Sequence, residues 1–121
     1  MKVAINRCYG GFGISQEAFM KLLERKEIAY ETSPSKFAIR DSDSDFWVAG
    51  HVGEDEYYIS EYEYYKDRSD PDLIYVIEQY GESANSWASE IAIVDIPDEV
   101  EWHIAEYDGI EWVAENHQTW R

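Results

Sequence analysis

The stretch Ile104-Ala105-Glu106-Tyr107-Asp108-Gly109-Ile110-Glu111-Trp112-Val113 decides how this chain is read. An Asp-Gly pair between two alternating runs is a strong signal for a two-residue β-hairpin turn, because both turn positions need positive φ. Such a turn fixes the register. It pairs Tyr107 with Ile110, Glu106 with Glu111, Ala105 with Trp112 and Ile104 with Val113. Glu106 then stands opposite Glu111, and like charges in that position destabilise a sheet. Two readings follow. Either the carboxylates splay apart at a solvated turn, or Glu106, Asp108 and Glu111 form a preformed acidic tip for a basic partner.

Working outward, the hairpin strands extend over residues 100–107 and 110–114, and Pro97-Asp98 breaks them from a β-branched strand within 87–96. Further upstream, Asp70 suits a helix N-cap, Pro71 the first helical position and Asp72 the positive end of the helix dipole. Leu73, Ile74, Val76, Ile77 and Tyr80 give that helix a wide apolar face, and Gly81 ends it. At the other end, residues 2–8 alternate as a strand, and Gly10-Gly11-Phe12-Gly13 must break it. Ser15 then caps a helix over residues 16–26, with Ala18, Phe19, Leu22 and Leu23 on one stripe.

The middle is harder to read. Ser33-Pro34-Ser35 and residues 41–45 read as loops around a short segment at 36–40. Residues 46–52 read as a strand weakened by Gly50 and Gly53, and residues 54–66 as strand or irregular chain. The expected fold is α+β: two helices packed on a mostly antiparallel sheet with a C-terminal β-hairpin, in a single domain over 1–121.

Charge narrows the classes of partner. The chain carries a net charge of −16, and between Ser69 and Trp120 it has no Lys or Arg but 13 Asp and Glu. Residues 1–68 hold nine basic and 13 acidic side chains, and Arg121 is the last cation. Such a field repels nucleic acid and anionic membranes and attracts basic surfaces over roughly a Debye length, about 8 Å at physiological salt. An acidic disordered chain would be poor in aromatics, whereas 16% of these residues are Phe, Trp or Tyr, so the chain folds. One cysteine excludes an internal disulfide framework and fits a reducing cytosol. The first residues lack the apolar region of a secretory signal, and no run reaches the ~20 apolar residues that span a membrane.

Motifs for chemistry are incomplete. Asp41-Ser42-Asp43-Ser44-Asp45 starts like a calcium loop but puts Phe46 where Gly belongs and Val52 where Glu belongs. The Gly10–Gly13 turn lacks both the GKS ending and the G-x-G-x-x-G spacing of phosphate loops. His51, His103 and His117 have no metal-ligand spacing, Cys8 reads as a buried structural thiol in a strand, and Ser15 as a cap. No cofactor, metal or catalytic residue is expected. Tyr57, Tyr58, Tyr62, Tyr64 and Tyr65 are interleaved with Glu54, Asp55, Glu56, Glu61 and Glu63. Nucleic-acid binders pair aromatics with cations, so this run reads either as a half-buried surface or as a face for a basic protein.

Three segments, NRCYGGFGIS at 6–15, RSDPDLIYVIEQYG at 68–81 and IVDIPDEVEWHIAEYDGIEWVAENHQTWR at 93–121, together resemble a family of small proteins of bacteriophages and large DNA viruses that has no assigned activity. The resemblance brings no catalytic residues, and residues 32–66 lie outside it. It implies action on host machinery, such as CRISPR effectors and other defence systems, where acidic proteins present carboxylates in place of phosphates.

Two functions are therefore expected. The first is a host-directed inhibitor in the host cytoplasm that mimics DNA and covers a basic, nucleic-acid-binding surface. It would act through Glu106, Asp108 and Glu111, with Glu54, Asp55, Glu56, Glu61 and Glu63 as a second patch. The alternative is a sponge for an anionic cyclic-nucleotide signal, using Arg7, Gly10, Gly11, Gly13, Arg68, His117 and Arg121. Neither reading involves direct nucleic-acid or membrane binding, and exposed aromatics admit a homodimer that avoids the charged patches.

Overall fold

A computed structural model of the protein describes residues 1–35 and 44–116. The order of elements is β1 (Lys2–Asn6), α1 (Gln16–Arg25), β2 (Tyr30–Pro34), β3 (Ser44–Val48), β4 (Tyr58–Ile59), α2 (Glu61–Tyr65), α3 (Pro71–Tyr80), β5 (Ile91–Asp95), β6 (Trp102–Tyr107) and β7 (Ile110–Glu115). Short 3₁₀ turns at Asp55–Tyr57 and Gly81–Ala84 complete the described elements. The fold is α+β, every strand pairing is antiparallel, and the C-terminal hairpin is present.

The helices form for the reasons read from sequence. Ser15 Oγ accepts the amide of Ala18 at 3.3 Å and donates to the carbonyl of Ser83 at 2.7 Å. Asp70 accepts the amide of Asp72 at 3.2 Å, Pro71 opens α3, and Gly81 closes it at φ +56°. Ala18, Phe19, Leu22 and Leu23 of α1 meet Leu73, Ile74, Val76 and Ile77 of α3 in one core with Ala4, Ile14, Phe46, Ile59 and Ala84. Where the two helices meet, α1 ends in cations and α3 begins in carboxylates. Lys26 lies 2.7 Å from Asp70, and Arg25 lies 3.3 Å from Asp72 while stacking on Tyr75. Each charge also suits the helix dipole at its own terminus.

One expectation is corrected. In place of one sheet there are three small ones: β1–β5, β2–β3–β4 and the isolated hairpin β6–β7. The cause is visible at β1. Its amides at Ala4 and Asn6 are taken by the carbonyl of Arg68 (2.9 Å) and the carboxylate of Glu111 (2.9 Å). With those donors used, the hairpin lies beside β1 without extending its ladder. A further helix, α2, occupies part of the segment read as strand or irregular, and residues 30–34 form a strand where a loop was read at 33–35. Cys8 lies past the end of β1 and is half-buried, its thiol donating to the carbonyl of Ala88 at 3.3 Å. The segment 36–40, Asp41 and Asp43 of the calcium-like loop, and His117 and Arg121 of the anion-site reading lie outside the described residues.

Tyr64 and Tyr65 of α2 turn inward, Tyr64 edge-on to Phe19 and Tyr65 against Phe12. Burial, joined by the nearby Glu61 carboxylate, pushes the Tyr65 phenol up to about 12. A phenol raised in the folded state stabilises it fully below the unfolded value of ~10, and that contribution is lost as pH climbs through the folded value. Unfolding free energy is therefore expected to fall between roughly pH 10 and 12. Tyrosinate absorbance should show a late-titrating phenol that Tyr65→Phe removes. A titration unchanged by that substitution would contradict the assignment.

Candidate protein-binding surface

The hairpin adopts the register expected from its turn: Tyr107↔Ile110, Glu106↔Glu111, Ala105↔Trp112 and Ile104↔Val113. Asp108 and Gly109 take φ of +50° and +91°, as a two-residue hairpin turn requires. The two opposed glutamates have different fates. Glu106 and Asp108 are exposed, whereas Glu111 is only 9% exposed. Its two carboxylate oxygens accept from the two terminal nitrogens of Arg68 at 2.6 and 2.9 Å. Arg68 also stacks on Phe12 at 3.7 Å and donates Nε to the carbonyl of Tyr65 at 3.1 Å. The acidic tip therefore consists of Glu106 and Asp108, and Glu111 belongs to the interior. The same pairing answers the like-charge clash, since Arg68 neutralises one of the two carboxylates.

Asn6, fully buried, joins this ion pair to the turn chemistry around it. Its side-chain amide donates to the carbonyls of Cys8 and Gly109, each at 2.8 Å, and its carbonyl oxygen accepts the amide of Glu90 at 2.9 Å. The glycine-rich turn completes the junction. A Cβ on Gly109 would lie 2.6 Å from the amide nitrogens of both Gly10 and Gly11, so the hairpin tip rests on that turn. Gly13 is fixed in turn by Ser89, whose hydroxyl donates to its carbonyl at 2.6 Å. Asn6 was not singled out from sequence. Its only signal there is a polar residue ending an apolar run.

These contacts bear on the anion-site reading. Arg68 is committed to Glu111, and Gly109 packs closely against the amide nitrogens of Gly10 and Gly11. Arg7 is exposed and has no ion-pair partner among the described residues. The polar cleft at the start of α1, about 560 Å³, includes Glu17 and Glu61 in its lining. Two carboxylates disfavour an anion there.

The second acidic patch is divided between the 3₁₀ turn and α2. Glu54, Asp55 and Glu56 are exposed at the turn, with Glu54 2.8 Å from His51, whose ring stacks on Tyr57 at 3.7 Å. Glu63 on α2 pairs with Lys66 at 2.7 Å, and Glu61 is half-buried. Exposed aromatics accompany both acidic regions: Tyr107 and Trp112 on the hairpin, Tyr57, Tyr58 and Tyr62 in the middle segment. Among the described residues, every Lys and Arg except Arg7 is ion-paired within the fold. By contrast, Glu99, Glu101, Glu106, Asp108 and Glu115 of the hairpin region have no ion-pair partner among the described residues.

No group of three His, Cys, Asp or Glu side chains among the described residues is arranged to hold a metal ion, and no described helix is long and apolar enough to cross a membrane. Comparison of the chain with protein-family models, curated proteins and solved structures finds no match.

Proposed function

We propose that this chain is an acidic binding protein of viral or phage origin, acting in the host cytoplasm as a host-directed inhibitor that covers a basic, nucleic-acid-binding surface. The observation that carries the reading is the segregation of charge just described. The described cations are ion-paired with carboxylates of the same chain, Arg7 excepted, while carboxylates without an ion-pair partner among the described residues and exposed aromatics share the hairpin and the region of Asp55 and Glu56. A surface of this composition attracts basic partners and supplies aromatic contact area at low entropic cost. The viral origin rests on the resemblance of residues 6–15, 68–81 and 93–121.

Tagged protein used for capture from bacterial lysate at low and high salt should retain a basic, nucleic-acid-binding partner at low salt and lose it at high salt. Calorimetry against cyclic nucleotides is the opposing measurement. A stoichiometric heat, with no salt-sensitive partner, would overturn the proposal in favour of a small-ligand sponge.

A further inference from the structure

We propose that the outer face of the β2–β3–β4 sheet holds a pocket for an arginine side chain of the partner, an inference that rests on the proposed binding of a basic surface. Strand alternation builds the pocket. Phe46 points into the core, so Asp45 and Trp47 point the other way. Trp47 is paired across the sheet with Tyr58, and the two rings meet nearly edge to face, at 5.3 Å and 74°. The indole is held in place by its N–H, which donates to the hydroxyl of Ser33 at 2.9 Å. The chain after β3 returns beside this corner, and an open cleft of about 580 Å³ there has Pro34, Asp45, Trp47, Val52, Asp55 and Tyr58 in its lining.

The chemistry of the lining selects a cation. The exposed Tyr58 ring, backed by the Trp47 indole of which only 9% is exposed, attracts positive charge through its quadrupole, and two carboxylates repel anything negative. Neither Asp45 nor Asp55 has an ion-pair partner among the described residues. A guanidinium uses both halves of the site, stacking its plane on a ring while its fork of N–H groups meets carboxylate oxygens. A lysine ammonium lacks the plane, and a trimethylated ammonium lacks the donors. The fold already shows the combination twice. Arg25 lies over Tyr75 while bonded to Asp72, and Arg68 lies over Phe12 while bonded to Glu111. The Trp47–Tyr58 corner with Asp45 and Asp55 is a third aromatic-and-carboxylate pairing, and no described arginine fills it.

The test is calorimetry of the full chain with the peptide acetyl-Gly-Arg-Gly-amide, beside its citrulline and lysine counterparts, with the Trp47 indole N–H followed by NMR. Saturable binding of the arginine peptide is expected, with a shift of the Trp47 signal and no binding of the citrulline peptide. Tyr58→Ala and Asp55→Asn, both at exposed side chains, should weaken it roughly threefold to tenfold, whereas Glu56→Gln, exposed but outside the pocket, should not. Equal binding of citrulline, tighter binding of lysine, or an equal loss in Glu56→Gln would overturn the pocket. Salt-sensitive capture without arginine-peptide binding would overturn the pocket and leave the proposed function standing. Peptide binding without such capture would do the reverse.

Discussion

Replacing Glu111 by Gln should remove about 3–5 kcal/mol of stability, because it leaves the Arg68 guanidinium in the interior without its counter-charge. The substitution keeps the shape of the side chain and takes away the charge. Arg68 is 15% exposed and Glu111 8% by side chain, so solvent cannot replace the lost partner. Burying such a pair adds little net stability over an apolar pair, but removing one member is expensive. A domain of this size has about 5–15 kcal/mol in total, so the loss is a large fraction of it.

The hairpin should feel the change first. Neither β6 nor β7 contributes a side chain to the main core. What ties the hairpin to the body is Glu111 on Arg68 and Asn6, Gly109 on the glycine turn, and the Asn6 amide on Gly109. Hydrogen exchange in Glu111→Gln should therefore rise in β6 and β7 before it rises in α1 and α3. Denaturant unfolding combined with a double-mutant cycle through Arg68→Ala measures the coupling directly. A loss below about 1 kcal/mol would place Glu111 at a solvated tip, where surface pairs contribute that little.

The second large effect is expected on the other side of the same junction. Gly10→Ala should destabilise the fold more than Gly11→Ala, although both glycines have φ in the region that side chains avoid, +142° and +117°. A Cβ on Gly10 would sit 2.2 Å from the carbonyl oxygen of Ala88, while a Cβ on Gly11 meets no atom within 4 Å. Gly11→Ala then reports backbone strain alone, about 1–3 kcal/mol. Gly10→Ala adds a clash with backbone that has to shift, a further ~1–3 kcal/mol of the kind overpacking causes. Equal losses by denaturant unfolding would mean that the chain yields freely at Ala88.

The parts of the fold that were legible in sequence are those fixed by neighbouring residues. Asp108-Gly109 sets its own turn and therefore the whole register of β6 and β7. Ser15, Asp70-Pro71 and Gly81 mark helix ends by capping chemistry that acts within one turn. The parts that were not legible depend on distant partners. Nothing local to Glu111 says that Arg68, 43 residues earlier, will take its charge. The sheet divides because Arg68 and Glu111 use the amides of β1, again a long-range event. In the middle segment β4 is only two residues long and α2 only five, too short for either periodicity to develop. The arginine pocket was hidden for the same reason, since Trp47 and Tyr58 meet only across a strand pair.

The surface carboxylates are a separate matter from the interior one, and this separates a test of binding from a test of folding. Charge removal at Glu111 would disturb the fold and say little about partners. Glu106→Gln and Asp108→Asn remove charge from the exposed tip, and Asn-Gly preserves the turn. The most direct measurement is competition between this protein and DNA for the captured basic partner, followed across salt concentrations for the wild-type and doubly substituted chains. The expected result is that wild-type protein displaces the DNA, less effectively as salt rises, and that the double variant associates more slowly and competes less well. Simultaneous binding of DNA and protein to the partner, or identical competition by the two chains at every salt concentration, would contradict an acidic surface that takes the place of nucleic acid.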